Sequence, residues 1–137
     1  MDAVTDDHGQ ALVFAVLLLG LAAAVIVGLL NVQQRILSDV RDQRAGEAAV
    51  AAAGRVVSDA LFARTARGTK HLTQDATARL AADADVVDQA RVAAASIARE
   101  NGRSEPTEVT VHAYGYEIEV HLTLAGRRHI ALLEPAP

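Results

Sequence analysis

The sequence predicts an α+β protein with a long N-terminal helix, a second helix and a three-stranded antiparallel β-meander. Three observations predict this architecture. An apolar segment near the N-terminus continues into a pattern of helical period without an intervening proline, and a second helical pattern ends at Asn101 and Gly102. The C-terminal part of the chain alternates between apolar and polar residues, which is typical of strands with one buried face.

The first half of the long helix is apolar enough to lie in a membrane. Residues 11–30 contain no charged side chain, and at about 1.5 Å per residue they span about 30 Å, the thickness of a bilayer's hydrocarbon core. No basic region precedes the segment and no small-residue cleavage site follows it, unlike in a secretory signal peptide. We therefore predict a short leader over residues 1–9 and a retained transmembrane helix over residues 10–34.

The helical pattern continues to about residue 64 and becomes amphipathic, which predicts a stalk. One apolar stripe runs along it, and we predict that this stripe contacts other subunits. The stripe consists of Ile36, Val40, Val50, Ala53, Val57 and Leu61. The charged residues between 35 and 47 form either a solvated face or a docking stripe for neighbouring subunits. Gly46 and Gly54 lower the helix's intrinsic stability by about 1 kcal/mol each relative to alanine.

A turn around Gly68, within residues 65–70, separates this helix from the second one. The second helix is predicted over residues 72–100, because an apolar side recurs at helical spacing. That side consists of Leu72, Ala76, Leu80, Val87, Ala90, Ala94 and Ile97. Asn101 and Gly102 form a favourable C-terminal cap, and Pro106 reinforces the end of the helix.

The meander's pairing follows from where its turns are placed. A two-residue turn at Tyr114 and Gly115 pairs Val111 with Ile118 and Val109 with Val120. A three-residue loop over residues 125–127 pairs Leu122 with Ile130 and Val120 with Leu132. Both hairpins then place their apolar residues on one face, which needs a helix to cover it.

Composition excludes several classes of function. The formal net charge of −4 lacks the basic excess that nucleic-acid binding requires, and the absence of cysteine excludes disulfides and thiol catalysis. No serine lies in a Gly-x-Ser-x-Gly turn, and no glycine-rich phosphate loop ending in lysine occurs. We predict no enzymatic activity, no cofactor, no small-molecule substrate and no nucleic-acid partner.

Three small residues in the apolar segment form a candidate contact surface. Gly20, Ala24 and Gly28 are spaced four residues apart and so lie along one face of the helix. Small residues at this spacing allow another transmembrane helix to approach closely. The alternative is coincidence in a segment rich in alanine and glycine.

Histidines and carboxylates recur in the predicted strands. In the register above His112 lies opposite Glu117, Thr110 lies opposite Glu119, and His121 lies on the same polar face. Two imidazoles with carboxylates could bind zinc, but such residues also occupy exposed strand faces without any metal. We predict no metal site, and His112 and His121 are the residues that would form one.

The N-terminal run GQALVFAVLLLG, residues 9–20, closely resembles the start of the TadE/TadG-like proteins of the tight-adherence (Tad) pilus system. In that family a short leader ends in glycine, and a polar residue and an apolar helix follow. The segment QQRILSDVRDQRAGEAAVAAAG, residues 33–54, resembles the basic and amide stretch and the alanine-rich segment that come next. The resemblance covers roughly residues 8–55.

The resemblance implies a pilin-like fold and a membrane-anchored role in pilus assembly or secretion. The partners would be membrane lipid and other pilin-like subunits or pilus-assembly membrane proteins. Prepilin-type cleavage would fall between Gly9 and Gln10. Phe14 stands where processed members carry glutamate at the fifth mature position, so TadG-like members that stay anchored, or a minor pseudopilin, fit better than a major pilin.

The family resemblance and the charges that flank the apolar segment imply opposite orientations. The family resemblance places the leader in the cytoplasm and residues 35–137 outside the cell membrane. The leader is acidic, however, and Arg35, Arg41 and Arg44 follow the apolar segment, which by the positive-inside rule favours the reverse. We adopt the orientation that the resemblance implies. Two other functions stay open: a membrane-tethered accessory domain that binds an envelope partner, and a membrane-anchored metal-binding protein.

Overall fold

The computed structural model describes residues 7–66 and 73–133, with side chains from residue 10 onward in the first range. It contains helices α1 (Asp7–Ala66), α2 (Gln74–Ala81) and α3 (Ala84–Glu100). Strands β1 (Glu108–Tyr114), β2 (Glu117–Leu124) and β3 (Arg127–Leu133) follow. They form one antiparallel sheet in the order β1-β2-β3, which confirms the predicted α+β class. The chain divides into two compact units, Met1–Asp39 and Val40–Pro137.

The described part of the first unit is a helix with exposed apolar side chains. Leu12, Leu19 and Leu30 are 68%, 74% and 53% exposed, and Ile36 is 56% exposed. A helix that is apolar on all sides requires burial in a large core or in lipid. α1 is long and apolar enough to cross a membrane.

The second unit has a core between its sheet and its helices. From α1 the core takes a stripe of small side chains, Ala45, Ala49, Val50, Ala53 and Val57, with Leu61 partly buried beside it. The stripe from residue 45 to residue 61 is about 25 Å long. Strands of seven or eight residues have about the same length. Val50, Ala53 and Val57 of the predicted stripe are thus buried in the core of their own unit rather than turned toward other subunits, whereas Ile36 and Val40 lie outside the core and are exposed.

The second helix predicted over residues 72–100 is in fact two helices. Asp83 interrupts it, because its side chain accepts a hydrogen bond from the Asp85 backbone N–H (3.1 Å) and starts α3 as the N-cap. Thr73 caps α2 in the same way through the Ala76 N–H. Leu80, Ala90 and Ala94 are fully buried as predicted, while Leu72 lies outside the described residues.

The predicted end of the second helix is confirmed. Gly102 adopts a φ of 69°, its N–H bonds the Arg99 carbonyl (2.9 Å), and the Arg103 N–H bonds the Ala98 carbonyl (2.9 Å). This pair of hydrogen bonds is a Schellman motif, which satisfies carbonyls that the helix leaves unpaired. Of the turn predicted over residues 65–70, Thr65 and Ala66 are still helical, and residues 67–70 lie outside the described ranges.

The first hairpin is shifted by two residues from the predicted register. Val111 pairs with Val120 and Val109 with Leu122, because Gly115 and Tyr116 form the turn rather than Tyr114 and Gly115. Gly115 has a φ of 66°, the conformation that a two-residue hairpin favours for glycine at its first central position. A shift of two keeps every side chain on its predicted face, so the core of this hairpin is as predicted.

The predicted register of the second hairpin is wrong by one residue. Leu124 pairs with Arg127, so the loop has two residues, Ala125 and Gly126, with φ values of 50° and 75°. Positive φ at both positions is the type I′ turn that matches the twist of the strands. Alanine rarely adopts this conformation, which costs about 1–2 kcal/mol, and the sequence therefore gives little indication of the short loop.

This one-residue shift reverses the two faces of β3. Ile130 and Leu132, predicted to be in the core, point away from the helices and are 54% and 50% exposed. His129, Ala131 and Leu133 take the inward positions instead. The change is accommodated by small residues of α1, since Gly46 lies against the His129 ring and Gly54 lies near Ala131 and Leu133.

Candidate functional site

The apolar half of α1 holds the three small residues singled out above. Gly20 and Gly28 have no neighbouring atom within 4 Å of where a Cβ would lie, and Ala24 is exposed. The unbroken helix places all three along one face, as their spacing predicts. Gly9 and Gln10 are helical in the first turns of α1, and cleavage between them stays a prediction.

The outer face of the sheet is the face that points away from the helices. Its side chains come from alternate positions of the three strands: Glu108, Thr110, His112 and Tyr114 of β1, Glu117, Glu119, His121 and Thr123 of β2, and Arg128, Ile130 and Leu132 of β3. A cavity of about 280 Å³ lies on this face. It is lined by Glu108, Thr110, His112, His121, Thr123 and Arg128.

His121 is only 8% exposed although it belongs to the outer face. Its Nδ1 lies 2.5 Å from a terminal guanidinium nitrogen of Arg128, and its Nε2 lies 2.7 Å from Glu119 Oε2. A guanidinium can only donate, so Nδ1 must accept, and the ring proton is on Nε2, which donates to Glu119. Both ring nitrogens are therefore engaged by neighbouring side chains.

These contacts bear directly on the zinc hypothesis. His112 lies opposite Glu119 rather than Glu117, and Thr110 lies opposite His121. The two imidazole centroids are 4.7 Å apart, but His121 has no unengaged nitrogen, and His112 Nε2 lies 3.1 Å from Thr110 Oγ1. Within residues 7–66 and 73–133, no three histidine, aspartate or glutamate side chains form a group suited to a metal.

A second cavity, of about 370 Å³, lies between α1 and the start of β3. Gln43, Glu47 and Val50 line one side, and residues 127–130 line the other. Beside it, a Cβ on Gly46 would lie 2.0 Å from His129 Nε2. His129 Nε2 is buried and has no hydrogen-bond partner among the described residues. This contact was not predicted, because the predicted register places His129 on the outer face.

Two ion pairs join the second half of α1 to the rest of the second unit. Arg103 Nε lies 2.6 Å from Asp42 Oδ1, and both side chains are about three-quarters buried. Arg64 pairs with Asp83, the residue that caps α3. Asp42, one of the charged residues of the stalk, thus holds the helix to its own domain. Neither a solvated face nor a docking stripe over residues 35–47 predicts this role.

Comparison with known proteins adds no relative. The chain matches no protein-family model, and neither the curated proteins nor the solved structures include a significant match.

Proposed function

We propose that this protein is a single-pass membrane protein of the TadE/TadG-like, pilin-like type, acting as a minor pseudopilin or a pilus-assembly or secretion component. The observation that carries the proposal is the exposed apolar half of α1, which continues into a helix packed beneath a small sheet. The resemblance of residues 9–20 to the start of that family supports the same assignment. The protein acts through helix packing and protein–protein contacts, without catalysis.

Membrane contacts would be made through the face that carries Gly20, Ala24 and Gly28. Gly20→Leu fills the space into which a neighbouring helix would pack, and we expect about tenfold weaker association with its partner, measured by co-purification from membranes. Ala22→Leu is the matched control, since it places the same side chain on the opposite side of the helix. Equal effects of both substitutions would contradict the proposed contact face.

Topology tests the membrane assignment. The chain lacks cysteine, so Ser104→Cys and Thr5→Cys can be labelled separately in intact cells with a membrane-impermeant maleimide. We expect position 104 to react and position 5 to be protected, or to be lost if cleavage follows Gly9. Labelling of position 5 alone would reverse the orientation and remove the pilus role.

A specific observation favours a second candidate function, a membrane-tethered domain that binds an envelope partner. Tyr114, Ile130 and Leu132 expose apolar surface on the outer face of the sheet. If the protein has this second function, Leu132→Lys would abolish binding of the envelope partner and Gly20→Leu would leave that binding intact. The pilin-like function requires the membrane contact, so Gly20→Leu would impair it.

A further inference from the structure

The edge of the sheet formed by β3 has unpaired backbone groups. Leu124 and Arg127 flank a two-residue turn and therefore exchange hydrogen bonds with each other. Alternation along the strand then directs the N–H and C=O groups of Arg128, Ile130 and Leu132 away from β2. No hydrogen bond from another described residue reaches these groups.

Both edge strands of the sheet contact helices: β1 contacts α2 and α3, and β3 contacts α1. On β3 the side chains beside the unpaired groups include Ile130 and Leu132, both about half exposed. Exposed strand edges normally carry lysine, proline, a bulge or an inward-pointing charge that prevents pairing. β3 carries an inward-facing charge at its start, Arg127, but residues 129–133 contain none of these features.

We propose that the β3 edge binds the β3 edge of a second copy of this chain, in antiparallel orientation about Ile130, which joins two sheets into one. This arrangement places Ile130 opposite its own copy and Leu132 opposite Arg128. Each strand thereby gains hydrogen bonds for the unpaired groups of Arg128, Ile130 and Leu132.

The charges of β3 favour antiparallel over parallel pairing of two copies. Arg127 and Arg128 are its only charged residues, and both lie at its start. Antiparallel pairing about Ile130 separates the Arg128 side chains of the two copies by about four residues, or about 14 Å, beyond the screening length of about 8–10 Å. Parallel pairing would place them about 5 Å apart, where like charges repel.

The area of the contact explains why membrane anchoring matters. One pair of seven-residue strands buries less surface than the roughly 1,200–2,000 Å² of a stable interface. Anchoring both copies in one membrane raises their effective concentration and compensates for the small area. The inference therefore rests on the anchoring in the proposed function, and the dimer is expected only in membranes.

The test measures self-association of the full chain in liposomes. Copies carrying a donor or an acceptor dye on Ser104→Cys are reconstituted at a low protein-to-lipid ratio, and energy transfer is recorded. Ile130→Pro removes the N–H on the open edge, where proline is tolerated, and Leu132→Lys adds a charge that protects an edge. We expect each to weaken self-association about tenfold or more, and Val92→Lys, at an exposed apolar site on α3 (57% exposed), to have no effect.

Three controls separate the possible outcomes. Circular dichroism checks that Ile130→Pro stays folded. If Ile130→Pro unfolds, the conclusion depends on Leu132→Lys, which leaves the backbone unchanged. Flotation of the same liposomes reports anchoring, so a failure of the proposed function is detected separately. Energy transfer no greater than that of randomly mixed monomers in floated liposomes would overturn the inference. The inference would also be overturned if Leu132→Lys self-associated as strongly as the wild type while Gly20→Leu lost self-association, because the contact between copies would then lie in the membrane.

Discussion

Gly46 allows the ring of His129 to lie directly against the backbone of α1, and we predict that this position does not tolerate alanine. A Cβ there would lie 2.0 Å from His129 Nε2, so the ring or the helix must move. We expect Gly46→Ala to lower the free energy of unfolding by about 1–3 kcal/mol, as overpacked sites do. The measurement is chemical denaturation of the full chain in detergent, followed by the sheet's circular dichroism signal.

Gly54 is the matched control at the residue scale. Its added Cβ would lie 3.5 Å from Leu133 Cδ2, which is ordinary contact. Gly54→Ala should therefore show only the gain in helix propensity, up to about 1 kcal/mol of added stability. The loss at position 46 should also shrink in a His129→Ala background. A loss at 46 that persists without the imidazole would show that His129 is not its cause.

Gly46 and Gly54 look alike in the sequence but differ in the structure. Intrinsic helix propensity depends only on residue type, so it predicts the same cost for both. The structure distinguishes them by what lies opposite, an imidazole in one case and a leucine methyl group in the other. That difference depends on the register of β3, which no local pattern in the sequence specifies.

At the scale of the element, Asp83 has two roles that substitution can separate. Its Oδ1 caps α3 through the Asp85 N–H, and its carboxylate pairs with Arg64 of α1. We predict that Asp83→Ala costs about 1 kcal/mol more stability than Asp83→Asn, which keeps an acceptor for the cap and loses only the ion pair. Thermal unfolding of both variants is the measurement. Equal losses would assign the whole effect to the ion pair and remove the cap from the explanation.

The elements were predicted more reliably than the junctions between them. Long periodic patterns predicted α1, the α3 region and all three strands, and the glycine cap predicted the end of α3. The break at Asp83 was missed because the apolar period continues across it, from Leu80 to Val87. The β3 register was wrong because Ala125 adopts a conformation usually left to glycine or asparagine. A single such turn moved Ile130 and Leu132 from the expected core to the outer face.

For the whole molecule, candidate sites that depend only on local helix geometry were predicted, and those that depend on strand pairing were predicted only in part. The face with Gly20, Ala24 and Gly28 needs only helical geometry, so the sequence sufficed to place it. The outer face needs long-range pairing: His112 and His121 were placed on one surface, but the partners of His121 were not identified. The predicted meander already places β3 at an edge, but its predicted register put Ile130 and Leu132 in the core, so the exposed apolar side chains beside that edge were not anticipated.

The division of the chain into two units predicts that membrane insertion and domain stability can be changed independently. Leu18 and Val25 lie in the apolar half of α1 and are 65% and 63% exposed, so replacing both with arginine disturbs no core packing. Arginine near the centre of a membrane helix costs about 2.5–3.5 kcal/mol, so the pair should raise the free energy of insertion by about 5–7 kcal/mol. Flotation with liposomes should then fail, while the denaturation midpoint of the second unit stays within error of the wild type.

The control for that experiment is a single arginine at Ala51, an exposed position in the second half of α1. It adds positive charge outside the apolar segment, so flotation should persist. If the Leu18 and Val25 variant still floats, the apolar helix is not what holds the chain to lipid. If it loses flotation and domain stability together, the two units fold as one, and the exposed apolar helix would then be part of a core completed by another protein.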